Sequence, residues 1–307
     1  IIRVAMYFFA SGGRMDNYHF IVNPIAGAGN SKRLFSEAKD IMDKEGIAYT
    51  YVFSKGSGHV SELVRSAVED DHKKIVAVGG DGTVRETAQV VMGQKDLVMG
   101  ILPFGTGNDL ARALKIPFDP RGALNVLFRG CVRPMDMGIA NGCAFANVAG
   151  FGFDTEVIVR TEKFKRRFGG MLPYILGVMQ AILSLKPIHM HLTADGREIN
   201  VEALLVAVAN GTHYGGGMNV SPSSDPFDGK LDVCLIKKVG LIKFLSLLPA
   251  FIKGRHINKK PVDYFTARKL RIESSVSHSI NLDGELGSST PVTFEIIPGA
   301  LNIFVPD

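Results

Sequence analysis

The 307-residue sequence predicts a two-domain protein: an α/β N-terminal domain built on a parallel sheet, followed by a mainly antiparallel β domain. Three observations predict this. In the first part of the chain, short apolar runs alternate with stretches of helical spacing, the pattern of right-handed crossovers in a parallel sheet covered on both faces. Groups of glycines follow directly on those apolar runs, where strands hand over to helices. From about Arg133 the pattern changes to short β-like runs broken by Asn-Gly and Asp-Gly pairs. The expected boundaries are 16–133 for the first domain and 134–298 for the second, with a tail at about 299–307 that can rejoin the first.

His19-Phe20-Ile21-Val22 reads as the first strand, and a helix from about Ser31 carries Leu34, Ala38, Ile41 and Met42 on one side. Ala48 to Phe53 is a second strand and Val60 to Val68 a second helix. Lys74 to Val78 is a third strand that runs into Gly79, with a helix at Val84 to Met92. Leu97 to Leu102 is a fourth strand, ended by Pro103. In the second half Ala203 to Ala209, Leu231 to Ile236, Lys269 to Ile272, Val292 to Ile297 and Leu301 to Val305 read as strands. Asn210-Gly211, Asp228-Gly229 and Asp283-Gly284 read as turns.

Apolar residues make up 46% and charged residues 21%, the balance of a folded globular chain. Three cysteines with no close pair argue against a disulfide scaffold or a zinc site, and a reducing compartment is expected. No run reaches the roughly 18 apolar residues of a spanning helix, so a soluble protein is expected. Residues 1–14 fit poorly with the rest of the chain and Met15 reads as a natural start; Ile1 to Ala10 is too short for a secretory signal.

The net charge of +5 is uneven. Lys163 to Lys186 holds five Lys or Arg and no acid; Lys237 to Lys260 holds seven and again no acid. Both windows read as helical insertions and carry apolar stretches, Met171 to Leu176 and Leu241 to Leu245. Basic and apolar residues together suit an anionic membrane surface. Ordinary solvated helices are the alternative, and the lack of acids favours the membrane.

Three segments at strand-to-helix turns can carry chemistry. Asn23-Pro24-Ile25-Ala26-Gly27-Ala28-Gly29 lets the backbone approach a ligand, and the N–H groups of a helix start attract phosphate. It is neither a Walker A sequence nor a full GxGxxG fingerprint. Gly79-Gly80-Asp81-Gly82-Thr83 comes directly after an apolar strand; helix capping accounts for Asp81 and Thr83 but not for three glycines. An aspartate there can hold Mg²⁺ or orient an attacking hydroxyl. In Pro103-Phe104-Gly105-Thr106-Gly107-Asn108-Asp109, Thr106 can cap a helix whose first turn holds Asn108 and Asp109.

In this order and spacing, these three motifs resemble the catalytic-domain family of diacylglycerol kinases, most closely its bacterial soluble lipid-kinase branch. Asp228-Gly229-Lys230-Leu231-Asp232 and Asp283-Gly284-Glu285 extend the likeness, which runs from about Tyr18 to the end. The resemblance implies an α/β domain of NAD kinase/phosphofructokinase type, and an ATP-dependent, Mg²⁺-dependent kinase that phosphorylates a lipid hydroxyl, diacylglycerol first among the candidates. It implies nucleotide contacts at Asn23, Pro24, Ile25, Ala26, Gly27, Ser54, Gly79, Gly80, Asp81, Gly82, Thr83, Val84, Arg85 and Thr106. Ser54 stands where the family usually has threonine and keeps the hydroxyl; Arg85 stands where it usually has asparagine. Glu285 would be the general base, with Asp81 and Asp109 anchoring water and magnesium around the phosphates. A second metal position would take Asp225, Asp228 and the carbonyl of Lys230, although the residues alone read there as a turn.

The partners expected are a lipid substrate and anionic phospholipid at the inner membrane surface, where a cytoplasmic protein would sit peripherally. Nucleic acid is not among them; a second copy in a homodimer is a further candidate, although the sequence does not give the oligomeric state. Two rivals remain: an NAD kinase-like enzyme with a soluble acceptor, and a nucleotide-binding regulator that has lost catalysis.

Overall fold

The computed structural model describes residues 18–56, 58–165 and 172–307. The expectations placed on residues 1–14, Met15, Ser57, Arg166, Arg167 and Met171 lie outside the described residues, as do the side chains of Lys165, Pro173, Tyr174 and Ile175. The described chain forms two compact units, one from the residues up to Met135 together with Gly299–Asp307, the other from Asp136–Pro298.

In the first unit β1 (Tyr18–Val22), α1 (Asn30–Glu45), β2 (Tyr49–Phe53), α2 (His59–Glu69), β3 (Lys74–Gly79), α3 (Asp81–Val91), β4 (Val98–Pro103), α4 (Asp109–Ala113) and α5 (Pro120–Arg129) succeed one another. The sheet is parallel in the order β2-β1-β3-β4, and Ile303 pairs parallel with Met99 on the far side of β4. Phe20, Ile21, Val22, Ile75, Val76, Ala77 and Val78 are all fully buried. Burial on both faces is why these strands read as continuous apolar runs rather than alternating ones. The third helix starts at Asp81, three residues before the expected Val84, because Gly80 is extended and helical turns begin immediately after it.

The second unit is mainly antiparallel. It comprises β5 (Cys131–Ala140), β6 (Cys143–Phe145), β7 (Val148–Gly152), α6 (Phe153–Lys165), α7 (Leu172–Leu183), β8 (Ile188–Ala194) and β9 (Arg197–Ala209). After these come β10 (Leu231–Lys237), α8 (Leu241–Ile252), β11 (Val262–Ala267), β12 (Lys269–Ser274), β13 (Ser279–Leu282), β14 (Glu285–Ser289) and β15 (Val292–Val305). β5 begins and β15 ends in the first unit. The strands pair in the order β14-β13-β7-β9-β8-β12-β15, with β10 joining β9 and β11. Side chains alternate between two cores: Phe151, Val206, Val208 and Val233 enter one, while Leu205, Ala207, Cys234 and Ile236 enter the other beneath Phe244, Leu247 and Phe251 of α8. The two strands expected at Val292 to Ile297 and Leu301 to Val305 are one fourteen-residue strand, since Gly299, at φ 62°, lets the chain pass Pro298 without breaking it. Among the described residues no helix is long and apolar enough to cross a membrane.

Candidate active site

The strand order turns around between β1 and β3, and ligands of open α/β sheets bind at the carboxyl edge of such a switch point. The first two glycine motifs leave those strands there. Asn23, at the end of β1, donates from Nδ2 to Thr83 Oγ1 at 3.2 Å and accepts from Ile25 N–H at 3.3 Å. The third motif, after β4, packs onto both. An added Cβ on Gly27 would lie 2.6 Å from the Phe104 carbonyl oxygen, and one on Gly105 would lie 2.1 Å from Gly80 Cα. Gly79 has room only for Thr83 Oγ1, at 2.5 Å from where its Cβ would stand. Close approach explains these glycines: the neighbouring loop comes up to Gly27 and Gly105, and the Thr83 side chain of the same motif comes up to Gly79. Gly82 differs: it is exposed, and nothing lies within 4 Å of its missing Cβ.

Asp81 ties the loops together electrostatically. Its Oδ2 accepts from Asn108 N–H at 2.8 Å and its Oδ1 from Asp109 N–H at 2.6 Å, so it caps α4 rather than its own helix. The expected cap, Thr106, is exposed and makes no such bond. Asn108 precedes the helix in the left-handed region, φ 54°, and is not in its first turn. Its amide closes the loop on itself, accepting from Gly105 N–H and donating to the Pro103 and Gly105 carbonyls. Asp109 is next, only 5% exposed.

Helix starts divide into two kinds here. The start of α2 is served by Glu86, whose carboxylate accepts from Gly58 and Ser61 N–H, that of α4 by Asp81, and that of α5 by Asp119. Glu86 was not among the expected residues; a buried acid one turn past a glycine motif is its sequence signal. The helices after β1 and β3 begin at Gly29 and Gly80, and among the described residues no side chain caps either start. Their first-turn N–H groups and their dipoles point to the switch point, the arrangement that attracts phosphate. Gly27, Ala28 and Gly29 hold successive positive φ angles of 59°, 55° and 88°. For Ala28 that costs about 1–2 kcal/mol, backbone strain of the kind found at ligand sites.

The remaining expected contacts lie along the same edge. Ser54 directly follows β2; its N–H bonds to the Val22 carbonyl at 2.8 Å, and its buried hydroxyl has no partner among the described residues. Pro24 and Ala26 are half-buried, Ile25 is 70% exposed, Val84 is buried, and Arg85 is half-buried on α3. In the second unit Glu285 is exposed at the start of β14. Asp225, Asp228 and Lys230 share one exposed loop: Asp225 Oδ1 accepts from Phe227 N–H, Asp228 Oδ1 from Lys230 N–H, and Asp136 fastens the loop through Gly229 N–H at 2.7 Å. The turn is therefore formed by the protein's own bonds. No group of three or more potential metal-ligating side chains occurs among the described residues.

Open helix starts at a switch point, with two acids beside them, are the arrangement of a phosphate-binding α/β unit. Residues 17–140 match the diacylglycerol kinase catalytic domain, and residues 147–305 match the YegS C-terminal NAD kinase beta sandwich-like domain. A diacylglycerol kinase of Bacillus subtilis (strain 168) is 30% identical over 95% of this chain and 97% of its own. One of Mycobacterium tuberculosis (strain CDC 1551 / Oshkosh) is 29% identical over 93% and 94%. A solved Bacillus anthracis str. Sterne structure superposes with a TM-score of 0.77 at 25% identity, covering 96% of this chain and 98% of that one. The chain belongs to the diacylglycerol kinase family. It is a lipid kinase with ATP as its phosphoryl donor.

Proposed function

We propose that the chain transfers the γ-phosphoryl group of ATP to the free hydroxyl of diacylglycerol, giving phosphatidic acid. The observation that carries the site is the pair of uncapped helix starts, α1 and α3, at the β1/β3 switch point. Their N–H groups would take the phosphates, Ser54 would offer its unpartnered hydroxyl, and the open space at Gly82 would let a phosphate approach. Asp81 would act mainly by holding α4 and Asp109 against the phosphate loop. Glu285 would accept the proton of the lipid hydroxyl as it attacks phosphorus, a step that asks for position and charge neutralisation more than covalent chemistry.

Mg²⁺ at ATP sites keeps several waters and takes one or two carboxylates besides the phosphates. Asp81 and Asp109, adjacent at helix starts, fit that count and would hold the ion; when bound it would neutralise phosphate charge. On the second unit, the outer oxygens of Asp225 and Asp228 with the Lys230 carbonyl would hold a structural ion. Magnesium should raise the melting temperature of the wild type and leave that of Asp228→Ala unmoved; equal shifts in both remove this position.

The lipid is reached from a membrane surface that α8 helps to grip. Leu241, Ile242, Leu245 and Ile252 are exposed on it at 41–86%, and Lys243 and Lys253 flank them. Apolar side chains among lysines bind anionic phospholipid. Two other lysines of that window are paired with acids outside it, Lys237 with Asp263 and Lys238 with Glu202. Incubation with labelled ATP and either diacylglycerol in anionic vesicles, phosphatidylglycerol, a sphingoid base or NAD tests the acceptor. Label is expected in phosphatidic acid; label in NADP instead would overturn the reading. Asp81→Ala and Glu285→Ala should each abolish transfer.

A further inference from the structure

A buried acid lies behind the hairpin that presents Glu285, and the inference drawn from it rests on reading Glu285 as the base. β13 and β14 are joined by Asp283-Gly284, whose φ angles of 50° and 94° are both left-handed, as a two-residue type I′ turn requires. Glu285 is the next residue. Asp283 anchors one side of the turn, its carboxylate accepting from Ala146, Asn147 and Val148 N–H at 2.7, 3.0 and 3.0 Å. Asn281 holds the other. Its Oδ1 accepts from Gly284 N–H at 2.8 Å, and its Nδ2 donates to Asp154 Oδ2 at 3.2 Å.

Asp154 stands in the first turn of α6 and is 6% exposed. The backbone makes room for it, since a Cβ on Gly150 would come within 2.9 Å of Oδ2. Burial pushes its carboxyl up to about 6, against the opposing pull of the Asn281 amide and of the Thr155 and Asp154 backbone N–H groups. Burying a carboxylate is costly, and packing alone would be served better by a neutral side chain. An ionised carboxylate is acceptor-only. It admits only one orientation of the Asn281 amide, with Nδ2 towards itself and Oδ1 towards Gly284. An apolar neighbour would let the amide flip and strip the turn of its acceptor.

We propose that Asp154, acting through the Asn281 amide and Gly284 N–H, is a positioning residue that fixes where the Glu285 carboxylate stands for proton transfer. A displacement of about 1 Å in such a group can cost on the order of 10²-fold in rate.

The test is steady-state kinetics with ATP and a short-chain diacylglycerol in phosphatidylserine vesicles. The variants are Asp154→Leu, Asp154→Asn, Asn281→Ala, Glu285→Gln and the double variant Asp154→Leu/Glu285→Gln. Asp154→Leu and Asn281→Ala should each lower kcat about 10- to 100-fold with the KM for ATP within about twofold of wild type. Asp154→Asn, which still offers an oxygen to Asn281, should recover most of that loss. The double variant should be no slower than Glu285→Gln alone, because both changes remove one function. Wild-type kcat in Asp154→Leu and Asn281→Ala, or fully multiplied losses in the double variant, would overturn the positioning role while leaving Glu285 as base. Equal losses in the Asn and Leu variants, tracking a fall in melting temperature, would make Asp154 merely structural. Wild-type kcat in Glu285→Gln would sink the base assignment, and the inference with it. Should Asp154→Leu fail to fold, Asn281→Ala decides by the same criteria.

Discussion

Gly82 and Gly105 are both glycines of the sequence motifs, yet they answer to different neighbours. Gly105 has Gly80 Cα 2.1 Å from where its Cβ would be, so Gly105→Ala must push two loops apart. A loss of about 1–3 kcal/mol is expected, read as a lower melting temperature. Gly82→Ala meets nothing and should melt with the wild type, while raising the KM for ATP about tenfold if a phosphate uses that space. The sequence points to glycines that something must approach, but it cannot say whether loop or ligand approaches, because the partner loop is brought in by the sheet. Asp81 is the same case: the motif marks the residue, while the Asn108 and Asp109 N–H groups it bonds are visible only once β3 and β4 lie side by side. Asp154 left no sequence signal, since it belongs to none of the motifs read there. Its folded-state carboxyl, raised to about 6 above an ordinary value of 3.8, binds protons more readily than the unfolded chain does between those values. Stability should therefore fall as pH rises from about 4 to 6, by at most roughly 3 kcal/mol from this group. Asp154→Asn should flatten that slope in melting temperature measured against pH.

At the scale of elements, α8 separates two roles along one turn. Phe244 is 1% exposed in the core beneath the helix, and Phe244→Ala should cost about 3–5 kcal/mol. Ile242 is 86% exposed, and Ile242→Glu should leave the melting temperature unchanged while weakening sedimentation with anionic vesicles. Vesicle binding that survives Ile242→Glu and Leu245→Glu together would remove the helix from the membrane. The apolar run was legible; which side chains it keeps for the core was not, since that depends on the strands beneath. The central first-unit strands β3 and β4 were legible for the opposite reason, because burial on both faces leaves little to misread.

For the molecule as a whole, charge and chemistry are laid out unevenly. The two acid-free windows carry more positive charge than the whole chain's net +5, so the rest is net acidic. This unevenness, unlike the fold, is complete in the sequence, and it bears on the surface the enzyme approaches. Ile303 lies parallel beside Met99, and Leu301, Ile303, Phe304 and Val305 are 0–6% exposed. Asn302 adds a bond to the Lys95 carbonyl at 3.0 Å. A ribosome making this chain thus releases the whole second unit before it supplies the strand that covers β4. Until then the nucleotide-binding sheet ends in a bare, apolar edge of the kind that recruits strands from other chains. Folding of the first unit therefore waits on residues made after the second unit, and a stop before them should be felt at the ATP site. A chain ended at Pro298 should aggregate on expression, and a peptide of residues 299–307 supplied in trans should restore ATP binding by taking the vacant place in the sheet.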